Sequence, residues 1–530
     1  KKQNTFELFN DVTILKNNSL LSKSDYAFLD INKDELVQNP VLFMDSKTNL
    51  WMSSNGADKK NEEISLESTI LSSCDCIDPD WSIRFSSGDY DTKAQWVNTY
   101  NTRFYFKDVP VFYTPYFGLP TDTTRHSGLL FPTLGYSSNE GFQYSQPIYL
   151  ALDPSYDLEI TPEIRTNRGH GVYTQFRLAD SANSFLTFKA GVFEEKTSYY
   201  NKNNLENKKH FGYNLDYKRN KLFSKGDHKD EMLLSINWLN DVDYKSLEEG
   251  SGFTYTESKI KSFFNYYYTT PEYYLGSYFK FYLDVKNDSN DETLQELPQF
   301  QLHSYTKSIF LDRLNYSADM KYTNFTRVDG ITADKYDFTL PISYAFSMFD
   351  EHENIVFKDE IKVIKLNYFD ATSNFDNGTF VQNKFSAEVS TDLLKSYENN
   401  IHTLNLSTKI SIPETMKEDG DLYSINSTNS ELEPFSVSED KKTITFALNQ
   451  SIYTKEELKE IINHKLSQSV IYDSYDNPKF AELENEITIN YLLGSLGNRL
   501  VYSNLDSQLI EASSYFSLNY LNYFLRLNHY

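Results

Sequence analysis

The chain has 530 residues, among them 41 Tyr, 38 Phe and 4 Trp, yet its mean hydropathy is −0.57. That aromatic content excludes a disordered chain, and no run approaches the ~20 apolar residues of a membrane helix. Lys and Arg total 51 against 75 Asp and Glu, a net charge of −24, which repels nucleic acid. A polar chain rich in Tyr and Phe, with only 19 Gly and 15 Pro, has a β-sheet composition.

Residues 1 to about 122 carry short apolar clusters such as Phe6-Glu7-Leu8-Phe9, Val12-Thr13-Ile14-Leu15, Tyr26-Ala27-Phe28-Leu29, Val41-Leu42-Phe43-Met44 and Leu50-Trp51-Met52. Turn formers separate them, and no helical period links them. The spacing predicts stacked short strands, as in a jelly roll, a β-solenoid or an ordinary β-sandwich. Lys1 to Phe9 lack the apolar core of a signal peptide, so the chain reads as mature sequence or as beginning inside it.

Seven prolines (110, 115, 120, 132, 147, 154 and 162) fall between Pro110 and Pro162. Proline removes a ladder donor, so strands keep it to ends, edges and bulges. This stretch reads as a domain junction that passes into proline-interrupted strands. From about Gly128 to Tyr530 the apolar period is two, as in Thr443-Ile444-Thr445-Phe446-Ala447-Leu448. Polar, charged breaks separate such segments, the pattern of half-apolar strands joined by solvated loops. Aromatics recur near strand ends, as in girdles at two membrane interfaces. At ~10 residues per spanning strand and ~5 per connection, the stretch supplies about 26 strands. Open sheets of that size are opposed by twist and unpaired edges. One large antiparallel transmembrane β-barrel over residues 123–530 is therefore the simplest expectation.

Signatures of catalysis are absent: there is no GxSxG elbow, phosphate-binding loop, HExxH or CxxC. Nine histidines stand singly, and no metal site is read. The paired Cys74 and Cys76 fit a disulfide, internal or to another segment, better than a metal centre.

The junction carries the specific signal. Val109-Pro110-Val111-Phe112-Tyr113-Thr114-Pro115-Tyr116-Phe117 is followed in order by Leu119-Pro120, Arg125, Ser127-Gly128, Leu130 and Pro132. Pro147-Ile148-Tyr149, Asp157, Thr161-Pro162 and Arg168-Gly169 continue the series. Cys76, Trp81, Val97 and Asn101-Thr102-Arg103 precede it. This constellation, over about residues 74–180, resembles the LPS-assembly outer-membrane protein family (LptD, also called OstA); the remainder resembles it in texture alone.

The resemblance implies a periplasmic β-jelly roll at 1–122 that receives lipopolysaccharide from an LptA-like periplasmic bridge. It further implies a barrel of about 26 strands in the outer membrane of a Gram-negative bacterium, plugged by an LptE-like lipoprotein. Acyl chains would leave through a lateral gate between the first strand (about Gly128–Tyr136) and the last (about Tyr515–Asn528). Pro132 and Pro147 map onto the family's gate prolines, and Gly128, Tyr136 and Tyr520 line the same seam. Independently, each proline deletes a donor where lipid offers no replacement; prolines that merely start or end strands are the plainer reading.

Phe9, Ile14, Phe28, Phe43 and Trp51 are the candidate lipid path, although any β-sandwich would bury such residues. The family often carries further cysteines near both ends, the usual second cation after Arg125 is His126, and residues 1–122 are short for a complete jelly roll. No cofactor is expected, and divalent cations bridging carboxylates and lipid phosphates would accommodate the negative balance. An outer-membrane porin or plugged nutrient receptor is the alternative. An outer-membrane hydrolase is a third, for which no local Ser or Asp with His is evident.

Overall fold

The computed structural model describes residues 4–16, 20–45, 50–74, 79–91, 93–120, 124–249, 257–287, 289–350, 352–369, 374–473, 476–521 and 523–530. It is almost wholly strand, and among these residues no helix is long and apolar enough to cross a membrane. The chain divides into two compact units, Lys1–Gly128 and Leu129–Tyr530.

The first unit is one antiparallel sheet of eight strands, from Thr5–Lys16 to Val109–Pro120, ordered as they occur in the chain. It is jelly-roll-like in composition and meandering in connectivity. Tight turns hold it in register: Asn61 and Lys107 adopt φ of 55° and 53° where the chain reverses. One face packs around Val41, Leu66, Leu71, Ile83 and Phe85. Pro110, Pro115 and Pro120 all lie in Val109–Pro120, the strand at the sheet's edge, where a missing donor interrupts no inner ladder.

The second unit is, among the described residues, a sheet of 23 strand segments, two of its strands being in two pieces each, against the about 26 strands that ~10-residue strands would give. The strands are longer than that allowance: Thr332–Met348, Glu353–Phe369, Gly378–Ser396 and Asn400–Asp419 have 17, 17, 19 and 20 residues. Along Thr332–Met348, Tyr336, Phe338, Leu340, Ile342, Tyr344 and Phe346 share one face, with Lys335, Asp337, Thr339 and Ser343 on the other. The apolar face is exposed: Phe300, Met320, Phe357, Phe385 and Ile412 each show 40–52 % of their surface. So much outward aromatic and aliphatic surface fits lipid and not water.

Connections alternate in length. Strands meet in tight turns at Phe310 and around residues 397–399, whereas the opposite end carries the helices Thr197–Asn203 and Val242–Glu249 and the segment 420–442. In that last segment Leu422, Leu432, Phe435 and Val437 pack against Ile331, Ala333, Ile364, Leu366 and Phe380.

The C-terminal end departs from expectation. Residues 515–528 are not one strand: Gln508–Tyr520 turns at Leu521 (φ 53°), and Tyr523–His529 is the final strand. A residue forced into the left-handed region marks a hairpin, and the apolar alternation on both sides hid it.

Candidate functional site: an interrupted seam and an apolar row

The first two strands of the large sheet are each broken in two. Gly128–Leu129 and Thr133–Ser137 flank Pro132, and Gly141–Ser145 and Ile148–Asp153 flank Pro147. The halves pair across the break: Thr133 lies opposite Ser145, and the Leu130 N–H donates to the Pro147 carbonyl at 3.0 Å. Pro147 has no N–H to return. The Gln146 side chain supplies one instead, its Nε2 donating to the Leu130 carbonyl at 2.7 Å. The Tyr144 hydroxyl in turn donates to Gln146 Oε1 at 2.9 Å. The Gln146 N–H reaches the Pro162 carbonyl at 3.1 Å. A side-chain amide thus stands in for a backbone donor where two interruptions lie side by side.

Gly128–Leu129 follows the final strand Tyr523–His529 in the strand order and pairs also with Ile148–Asp153. Gly128 has no atom within 4 Å of where a Cβ would stand, so packing does not demand glycine there. Tyr136 is exposed at 79 % opposite Phe142. Tyr520 ends the penultimate strand, paired with Tyr523 across the hairpin, and so lies one strand in from the end.

In the smaller sheet, register builds a row. Ile14, Ser22, Phe43, Met52, Leu71, Ile83, Phe104 and Phe112 stand directly opposite one another from strand to strand across all eight strands. Opposed residues share a face, so this is a nearly continuous apolar track. Ile14 and Phe43 belong to it. Phe28 shares the face of Ser22 by strand parity. Phe9 is 63 % exposed beside Tyr26, next to the register shift before Val12. Trp51 is one residue out of phase with Met52 and so faces away; its indole N–H donates to the Cys74 carbonyl at 2.8 Å. Cys74 is a free thiol, held below its ordinary pKa by a backbone hydrogen bond from Trp81 and the Ser72 side chain. Cys76 lies outside the described residues.

Sequence reading missed a buried ion network at the loop end of the early strands. Arg165 is 1 % exposed. It binds Glu163 at 2.5 Å, Glu140 at 2.8 Å and the Leu247 carbonyl at 3.1 Å. Arg168 binds Glu195 at 2.8 Å and also reaches Glu140. Burial works against the Arg168 charge, yet Glu195 and Glu140 raise its pKa above the ordinary guanidinium value. His210 stands between Asp241 at 2.9 Å and Glu195 at 3.2 Å. Gly141 makes the approach feasible: at φ 80° it lies where a Cβ would collide with Thr166 Oγ1. The sequence signal was Glu163-Ile164-Arg165, a period-two charge pair, which only tertiary contact distinguishes from a solvated face.

His210, Asp241 and Asp243 bring ligand atoms within 4.8 Å of one another. Asp241 is already committed, to His210 and to the Tyr244 N–H at 3.2 Å at the start of a helix. His210 and Asp241 therefore belong to the ion network.

A long antiparallel sheet with one apolar and one polar face, broken at its first strands and preceded by a meander with an apolar track, defines the class: a β-barrel-type protein with an accessory β-domain. A family model described as LptD, LPS transport system D, matches residues 211–471. LPS-assembly protein LptD of Pseudoalteromonas atlantica is 38 % identical over 125 residues, 24 % of this chain and 16 % of that protein. The Sodalis glossinidius protein of that description is 41 % identical over 112 residues, 21 % and 14 % of the two chains. That of Vibrio cholerae is 31 % identical over 196 residues, 37 % and 22 %. These matches support the LptD family for this chain. The matched part of this chain spans less than a quarter of the length of these relatives. A solved bacterial polysaccharide outer membrane secretin covers 63 % of this chain and 96 % of its own at 11 % identity, with a TM-score of 0.27, too low to carry an argument.

Proposed function

We propose that the chain is an outer-membrane translocon that inserts lipopolysaccharide or lipooligosaccharide into the outer leaflet of a Gram-negative bacterium. One observation carries the route: two adjacent strands are interrupted at the same level, at Pro132 and Pro147, beside the final strand. Opening a sheet in lipid costs every backbone bond it breaks, so a seam that must part is cheapest where bonds are already missing. The apolar row in the smaller sheet, placed in the periplasm in this reading, gives acyl chains a path from an LptA-like bridge. The polar face of the large sheet gives the sugars a wet interior, which an LptE-like lipoprotein would plug. Divalent cations would offset the acidic charge at lipid phosphates. The chain does no chemistry of its own.

The test is a cysteine pair, Leu129→Cys with Leu525→Cys, in cells depending on this protein. Oxidation should abolish lipopolysaccharide display at the surface and reductant should restore it. Undiminished display with the seam fully crosslinked would overturn the gate, and solute conductance by the barrel without a lipoprotein would favour a porin.

A further inference from the structure

The polar face of the large sheet carries a group of lysines whose charge the protein leaves largely uncompensated. Lys321, Lys335 and Lys362 come from three consecutive strands, Leu311–Thr326, Thr332–Met348 and Glu353–Phe369. Register puts them on one face: Lys321 is opposite Asp337, and Lys335 is opposite Leu366, four residues along the strand from Lys362. They are near enough for the charges of Lys321 and Lys362 to act on the Lys335 ammonium. All three are half-buried.

Some lysines elsewhere in the sheet meet a carboxylate closely: Lys280 faces Glu296 at 2.5 Å, Lys358 faces Glu360 at 2.6 Å and Lys384 faces Glu360 at 2.8 Å. These three do not. Lys335 reaches Asp337 only at 3.9 Å, and among the described residues no carboxylate lies within 4.0 Å of Lys321 or Lys362. Neutral oxygens attend two of them instead. The Ser438 carbonyl accepts from Lys362 at 3.1 Å and the Ser436 carbonyl from Lys335 at 3.5 Å. Two residues further along, Asp440 accepts from Lys384 at 3.1 Å. The extended segment Ser436–Asp440 crosses three strands, setting an acceptor over each, and buried Val437 fixes it in place.

A chain with 75 carboxylates and 51 cations does not lack acids to pair these lysines. Three like charges half out of water repel one another and lose hydration unless an anion joins them. Three lysines with Asp337 leave about two positive charges, and a phosphate monoester brings about −1.5 to −2 at neutral pH. Lysine suits such a group as a point-charge partner. We propose that Lys321, Lys335 and Lys362 form a phosphate-binding site on the polar face, rimmed by the Ser436 and Ser438 carbonyls. That the phosphate is carried on a lipopolysaccharide sugar rests on the proposed function; the site as a phosphate receptor does not.

The test uses the full chain in detergent with two probes. Inorganic phosphate is titrated and its ³¹P line width followed for the native protein, a Lys321→Gln/Lys335→Gln/Lys362→Gln variant and the corresponding triple Arg variant. Native and Arg proteins should broaden the line, and the Gln protein at least 10-fold less; equal broadening by native and Gln proteins overturns the site. A Lys280→Gln/Lys358→Gln variant, removing paired lysines, should match the native protein, and loss of broadening there would overturn the assignment to the three. Purified lipopolysaccharide, intact or dephosphorylated, is the second probe. Preferential retention of the intact form, lost in the Gln variant, supports the lipid as carrier. Equal retention of both forms overturns that carrier and leaves free phosphate. Retention of neither, with phosphate still broadened, counts against the transport reading and not against the site.

Discussion

The strands at the start of the large sheet and those in its middle follow opposite rules. Pieces of 2, 5, 5 and 6 residues make up the first two strands, whereas strands of 17 to 20 residues stand between Thr332 and Asp419. Proline alone does not make the difference. Pro341 sits inside Thr332–Met348, where the pairing to Leu311–Thr326 passes from Ile342 to Thr339 and omits it. The ladder to Glu353–Phe369 runs through Pro341 unbroken. A lone proline opens one side of one strand. At Pro132 and Pro147 the interruptions lie on adjacent strands at one level, and a side chain bridges the gap. Weakness in a sheet comes from the alignment of defects more than from their number.

The loop ends of the early strands supply the counterweight, and the largest expected effect is there. Arg165→Leu would leave Glu140 and Glu163 buried with one fewer cation, and removing one partner of a buried pair costs about 3–5 kcal/mol. Urea unfolding in detergent should show a loss of that size. A change below about 1 kcal/mol would mean that the network is not what anchors these strands. Next is the bridge. Gln146→Leu would strip the exposed Leu130 carbonyl of its side-chain donor, and a net hydrogen bond contributes about 0.5–1.5 kcal/mol. Amide exchange should rise at Leu130 and Thr133 and stay constant in Glu353–Phe369. A uniform rise through both regions would erase the contrast between seam and wall.

The part of this that sequence makes legible is the part proline writes. Pro132 and Pro147 are visible as residues, and their spacing of one strand plus one turn places them side by side. Period-two alternation likewise shows the two-faced strands, though not their length, because residues past the ~10-residue span keep alternating; hence 23 strand segments where about 26 strands were expected. Whatever depends on register stays hidden. Ile14 and Phe43 join one row only through Ser22, a polar residue that no hydrophobic pattern would select. Lys321, Lys335 and Lys362 each look like the solvated half of an ordinary strand until three registers bring them together. Arg165 reads as a surface charge because its partners, Glu140 and the Leu247 carbonyl, come from distant loops.

The smallest effect gives the strictest test of alignment against number. Pro341→Thr restores one donor in the middle of the wall, where Thr suits a strand, and a net hydrogen bond contributes about 0.5–1.5 kcal/mol. Urea unfolding should therefore show a gain of at most that size. Surface display of lipopolysaccharide should not change, since the ladder on the other side of Pro341 is already continuous. Pro147→Thr makes the same chemical change beside Pro132. There the new N–H would compete with Gln146 Nε2 for the Leu130 carbonyl and begin to knit the seam, so display should fall while stability rises by a similar amount. If the two substitutions altered display equally, the sheet would be responding to its total of missing donors, and the side-by-side placement of the two breaks would have no mechanical meaning.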